Sequence, residues 1–157
     1  MLGTIGEQGR MELTVISDAV NLASHLEGLT KAFGANIIVS DSALSIPAAI
    51  KYRYLGKVKV KGKQKTILVY EVCEGLPAAV LDAKLEVGEK LKEALELYNS
   101  SRFAEAKKIF SQLYAQNPSD KVLQLYESSC LSYMASTKGS SSWLGALSLS
   151  KDGALET

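Results

Sequence analysis

Asn21 and His25 stand four residues apart in a stretch with helical spacing, which puts both side chains on one helix face. A carboxamide in the first turn of a helix can both donate and accept hydrogen bonds. An imidazole one turn later is short and mostly neutral near pH 7. Further on, Lys61 lies in Lys61-Gly62-Lys63, a glycine-containing turn from which an ammonium can approach a polyphosphate as a point charge. Thr14, seven residues before Asn21, offers a hydroxyl from a β-branched run. Each also has a plain structural reading. Asn21 then sits on a solvated helix face, His25 is a surface histidine, and Thr14 is an ordinary strand residue. Lys57 through Lys65 would form a basic edge that deters strand pairing. Asp18 has no second carboxylate at ligand spacing and reads as a helix N-cap.

The elements that must position these groups follow from patterning. Residues 2–6 and 11–17 read as a strand pair around the polar turn Glu7-Gln8-Gly9-Arg10. A helix runs from Asp18 to Phe33, with Val20, Leu22, Ala23, Leu26, Leu29 and Phe33 at helical spacing and Gly34 as its stop. Residues 36–40 form a short strand and a brief helix follows. Residues 51–60 alternate, with Tyr52, Tyr54, Val58 and Val60 on one side, mostly basic residues on the other and a kink at Gly56. Thr66–Val72 is the return strand. Gly75-Leu76-Pro77 opens a linker over 75–83, and the pattern then becomes helical. Helices are expected over 84–99, over 103–116, and from Ser119 or Asp120 to about Met134. Ala106, Phe110 and Pro118 match the spacing of a tetratricopeptide repeat, so 84–135 resembles one such unit. Residues 136–157, rich in Ser, Gly and Ala, read as a disordered tail.

The 157 residues are 46% apolar, enough for one core of ordinary size. Net charge is +1, so charge balance gives no reason to expect a nucleic-acid partner, although residues 51–65 carry Lys and Arg without an acid. Cys73 and Cys130 have no ligand spacing and there is one His, which argues against a His/Cys metal site. Both thiols read as reduced and structural, in a cytoplasmic protein. No run reaches the 18 apolar residues of a membrane span, and no signal-peptide pattern follows Met1.

The stretches Gly3-Thr-Ile-Gly6, Arg10 through Glu27, Val58-Lys-Val-Lys-Gly-Lys63 and Val69-Tyr-Glu-Val72 together resemble the second half of class III adenylate and guanylate cyclase catalytic domains. The resemblance covers residues 2–73 in order and spacing. It implies an α+β (α/β) architecture, a partial ferredoxin-like domain over 1–74 followed by the helical repeat and tail. In that family the active site closes across a dimer. One subunit holds two Mg or Mn ions through paired aspartates, and the other holds base, ribose and phosphates. The reaction is attack of the ribose 3′-hydroxyl on the α-phosphate of ATP or GTP with loss of pyrophosphate.

On this resemblance Asn21 matches the asparagine that orients the ribose and Lys61 the lysine that contacts phosphate. Thr14 falls where the purine is read and leans towards ATP. His25 occupies the position of the family's arginine. An imidazole cannot replace a planar, permanently charged fork, so this departure puts turnover in doubt. The family's metal-binding aspartates lie upstream of the matching region, so no metal ligand is expected here. The expectation is therefore a truncated cyclase, inactive and unstable alone, that depends on a homodimer or on complementation by an intact cyclase subunit. The competing reading is a non-catalytic module that docks on a cyclase while the helical repeat recruits a protein partner.

Overall fold

The structure is a computed structural model and describes residues 23, 25–45, 49–59, 65–136, 143, 145–150 and 154–156. Helix α1 is described over residues 25–33. His25, Leu29 and Phe33, each four apart, form its buried stripe, while Ala23 is exposed. Gly34 ends the helix with φ of 63°, and the Ala35 amide donates to the Thr30 carbonyl at 3.0 Å, the wrap expected at a glycine stop.

Strand β1 (Ile38–Ser40) leads into a 3₁₀ turn (Asp41–Ser45), then β2 (Tyr52–Lys59) and β3 (Thr66–Val72). β1 and β2 both pair antiparallel with β3. Four helices follow: α2 (Ala78–Glu86), α3 (Gly88–Asn99), α4 (Phe103–Gln116) and α5 (Lys121–Ala135). A short strand, β4 (Leu147–Ser148), adds parallel to the free side of β2 and completes a sheet of order β1-β3-β2-β4. The fold is α+β.

Helix α4 spans the expected 103–116, but the helix expected over 84–99 is divided, its first turn ending α2 and the rest forming α3 from Gly88; α3 buries Leu91, Ala94, Leu95 and Tyr98, and α4 buries Ala106, Phe110 and Leu113. Asp120 caps α5, its carboxylate accepting from the Val122 amide at 3.1 Å. The turn between α3 and α4 is held by Ser101 at φ of 62°, with the Arg102 amide donating to Leu97 and the Ser101 amide to Tyr98. Residues 78–83, expected as linker, begin α2; its helix buries none of its residues, so no apolar stripe announces it.

The sheet and the helices share one hydrophobic cluster. Leu29, Phe33, Leu55, Val58 and Val69 pack in it with Leu91, Leu95, Phe110, Leu123 and Tyr126. The tail also departs from its compositional reading. Within 136–157, Ala146, Leu147 and Leu149 are buried, and Trp143 sits among the rings of Tyr98, Phe103 and Tyr133. Its indole N–H donates to the Asn99 carbonyl at 3.0 Å. A few well-spaced apolar residues outweigh the polar average, because each removes its own surface from water.

The two faces of β2 differ from the simple alternation. Register shifts between Tyr54 and Gly56, where Gly56 has φ of 107°. This bulge puts one extra residue in the strand and reverses its side-chain parity. Arg53 and Leu55 before it and Val58 after it are all buried, whereas Tyr52 and Tyr54 meet Tyr70 of β3 on the opposite face. Arg53 is thus not on a solvated basic side. Val60 lies outside the described residues.

Candidate functional site

Of the residues whose chemistry the sequence singled out, His25 is described. Thr14, Asn21 and Lys61 lie outside the described residues. His25 is 9% exposed, which overturns its reading as a surface residue. It falls on the inward stripe of α1 because it precedes Leu29 by one turn. Its Nε2 is buried and has no hydrogen-bond partner among the described residues. Burial lowers its pKa below the ordinary 6.5, so the imidazole is neutral at pH 7. It cannot supply a fixed positive charge.

The strongest electrostatic feature lies where sheet meets helices. Arg53 on β2 donates from Nε at 3.1 Å and from Nη2 at 2.8 Å to one carboxylate oxygen of Glu71, its cross-strand neighbour on β3. Its Nη1 donates at 2.6 Å to Asp120, the cap of α5. The other Glu71 oxygen accepts from Lys84 of α2. Arg53 and Glu71 side chains are each 2% exposed. Burial alone would lower the Arg53 pKa, but hydrogen bonds and charge from Asp120 and Glu71 raise it, so the guanidinium stays charged. The chain Lys84–Glu71–Arg53–Asp120 alternates in sign and satisfies ions that would be costly to bury alone.

A second tie runs from α5 to the bulge. Tyr126 is fully buried and donates its hydroxyl to the Leu55 carbonyl at 2.6 Å. Its ring stacks on Phe110 at 5.2 Å and meets Tyr98 edge-on at 5.0 Å. A cavity of about 410 Å³ opens near the ion chain, with Phe33, Gly34, Lys84, Asn117, Asp120 and Lys121 in its wall.

Sequence reasoning missed the Arg53–Glu71–Asp120 cluster. A signal was present: Glu71 is the one charged residue in the apolar run Thr66–Val72, and Arg53 stands between two tyrosines. Cys73 and Cys130 are free and buried, and burial pushes both thiols up, Cys130 to about 12, which keeps them protonated and inert. Among the described residues no His, Cys, Asp and Glu group could hold a metal ion, and no helix is long and apolar enough to cross a membrane.

No family model matches the chain, and no solved structure matches it. Curated relatives do. The chain is 49% identical over 76 residues to the "Adenylate cyclase" of Anabaena cylindrica, covering 46% of this chain and 15% of that protein. It is 30% identical over 135 residues to "Adenylate cyclase, terminal-differentiation specific" of Dictyostelium discoideum, covering 83% of this chain and 6% of that protein. It is 34% identical over 73 residues to "Adenylate cyclase 1" of Rhizobium meliloti (strain 1021), covering 46% of this chain and 11% of that protein. The chain thus spans between 6% and 15% of the length of these relatives and is related in sequence to proteins named adenylate cyclase. A match over 83% of the chain necessarily runs through the sheet and into the helices.

Proposed function

We propose that these residues are the nucleotide-gripping part of a class III nucleotide cyclase, which converts ATP to cyclic AMP and pyrophosphate in signal transduction. The observation that supports this most is the 49% identity over 76 residues to an adenylate cyclase, a span of the size of the 2–73 resemblance. In the reaction the ribose 3′-hydroxyl gives its proton to water, its oxygen bonds to the α-phosphorus, the bond from that phosphorus to the oxygen bridging to the β-phosphate breaks, and pyrophosphate leaves with the electron pair. Asn21 orients the ribose, Lys61 neutralises the polyphosphate and Thr14 meets the base. Mg or Mn ions would supply charge stabilisation at the phosphates, with no cluster among the described residues to hold them. The aspartates that hold them belong to a partner subunit or to other parts of the enzyme.

His25 stands where the family's arginine would steady the transition state. The buried, neutral ring supports a weakened site, since loss of a phosphate clamp costs on the order of 3–5 kcal/mol of transition-state stabilisation. These 157 residues on their own are therefore inactive, and the site completes itself across a dimer or with an intact cyclase subunit. An ATP-dependent role and buried reduced thiols fit a cytoplasmic location. The match to the Dictyostelium relative covers 83% of this chain and so includes much of the tetratricopeptide-like helical segment, which supports a role for that segment in the same protein.

The test is a cyclase assay with ATP or GTP and manganese, on the chain alone and mixed with a cyclase domain that keeps its metal aspartates but lacks its own nucleotide-side asparagine. Cyclic AMP should form in the mixture and not from the chain alone. Product from the chain alone would refute the inactivity. Silence in the mixture, for wild type and His25→Arg alike, would favour the non-catalytic module.

A further inference from the structure

Trp143 and residues 145–149 lie on the helices and the sheet through contacts of definite chemistry. The last carbonyls of a helix have no intrahelical amide to accept from. That of Asn99, at the end of α3, accepts instead from the Trp143 indole at 3.0 Å. The indole stands edge-on to Tyr98, Phe103 and Tyr133, with ring centroids 5.0, 5.1 and 4.7 Å away. Gly145, at φ of 69°, passes so near that a Cβ on it would lie 3.3 Å from the same Asn99 carbonyl. Leu147 and Ser148 then pair parallel with Val58 and Lys59 on the outer edge of β2, and Ala146, Leu147 and Leu149 are buried.

These ties are few for the length of chain they order. The ladder is two residues long, and parallel pairs hold less firmly than antiparallel ones. The next backbone bonds fold the segment on itself: the Ser150 amide donates to the Ala154 carbonyl at 2.8 Å and the Glu156 amide to the Ser148 carbonyl at 2.9 Å. Ordering the backbone opposes the gain from burying its apolar side chains, and the two effects are of similar size. The core between helices and sheet meanwhile closes through Phe33, Leu55, Leu95, Phe110 and Tyr126. An element tied in this way belongs to the low-stability end of a fold.

We infer that Trp143 and residues 145–149 are a separable strap lying in a peptide-binding groove, which is built from the Asn99 carbonyl, the rings of Tyr98, Phe103 and Tyr133, and the outer edge of β2. The partner that fits this groove when the strap lifts is an extended peptide with a tryptophan and, four and six residues further on, two leucines. Tryptophan is required because the carbonyl needs a donor and the rings need an aromatic plane; phenylalanine supplies only the plane. Glycine two residues after it lets the backbone pass Asn99. The strap is thus an intramolecular competitor of any such partner.

Native-state hydrogen exchange of the full chain tests the lifting. The Trp143 indole hydrogen and the Ser150 and Glu156 amides are hydrogen-bonded, and should share a protection about tenfold or more below that of amides in 67–71. Exchange of both sets at one common rate would overturn the strap. Trp143→Ala leaves the full chain without tryptophan, so the indole of an added synthetic peptide spanning residues 142–150 reports alone. Its emission should shift to shorter wavelength and saturate as the variant chain is added. The same peptide with phenylalanine at the tryptophan should compete about fivefold more weakly, the effect of one net hydrogen bond. Absence of a saturable shift, with circular dichroism unchanged, would overturn the groove, and equal competition by the phenylalanine peptide would overturn its tryptophan specificity. A Trp143→Ala chain that fails to fold would show the segment to be part of the core and overturn its separability.

Discussion

Replacing Gly56 by alanine probes the contact on which hairpin and helices meet. Gly56 has φ of 107°, a region that L side chains adopt at a cost of roughly 1–2 kcal/mol. The new Cβ would sit 2.3 Å from the Tyr126 hydroxyl oxygen and 3.2 Å from Leu95 Cδ2. Tyr126 cannot swing aside freely, because it is buried and stacked on Phe110. Overpacking of this kind costs about 1–3 kcal/mol. Moving the phenol would also strip the Leu55 carbonyl of its donor, at roughly 1–3 kcal/mol. These terms overlap, since a shift that relieves the clash is the same shift that breaks the bond. The expected loss is about 3–5 kcal/mol, a large fraction of the stability of an ordinary domain.

Urea melts followed by circular dichroism and Trp143 fluorescence measure this loss. The sharper reading comes from Gly56→Ala combined with Tyr126→Phe. Phenylalanine removes the oxygen that the Cβ would strike, so the double variant should be less destabilised than the two single losses summed, by about 1–2 kcal/mol. Losses that add to within about 0.5 kcal/mol would show that the close approach does not govern the bulge, and the reasoning would fail.

Three further outcomes follow. Asp120→Ala leaves Arg53 with one carboxylate and α5 without its cap, and should cost about 3–5 kcal/mol in the same melts. Ser101→Gly places the residue suited to positive φ at the α3–α4 turn, and should gain roughly 1 kcal/mol, read as a higher urea midpoint with unchanged slope. His25 has a folded pKa below its ordinary 6.5, so the unfolded chain binds the proton more readily; its stability contribution is full above 6.5 and is lost as pH falls through the folded value. Wild type should lose stability over that acidic window, and His25→Leu should not show this component.

Much of the fold was legible because local period and burial agree. Phe103–Gln116 and Thr66–Val72 were readable to the residue, since each carries one unbroken pattern between clear stops. The start of α5 was legible as a cap at Ser119 or Asp120, and the structure places it at Asp120. What failed was what depends on the third dimension. A bulge at Gly56 reverses parity in β2, so Arg53 reads as an exposed cation yet is buried between two carboxylates. His25 looks polar and therefore external, but its place one turn before Leu29 puts it inside. Helix α2 has no apolar stripe to read, and the tail hides Leu147 and Leu149 in a polar average. Of the candidate site, Thr14, Asn21 and Lys61 lie outside the described residues and rest on the sequence resemblance alone, whereas His25 is described and is buried.

Equilibrium binding of ATP to the 157-residue chain, with manganese present, tests the central claim most directly. Saturable binding should weaken about tenfold or more in Lys61→Ala, the loss of one charge-assisted contact, and weaken in Asn21→Ala, with circular dichroism unchanged in both. Absence of binding by the wild type, or affinity indifferent to both substitutions, would contradict it.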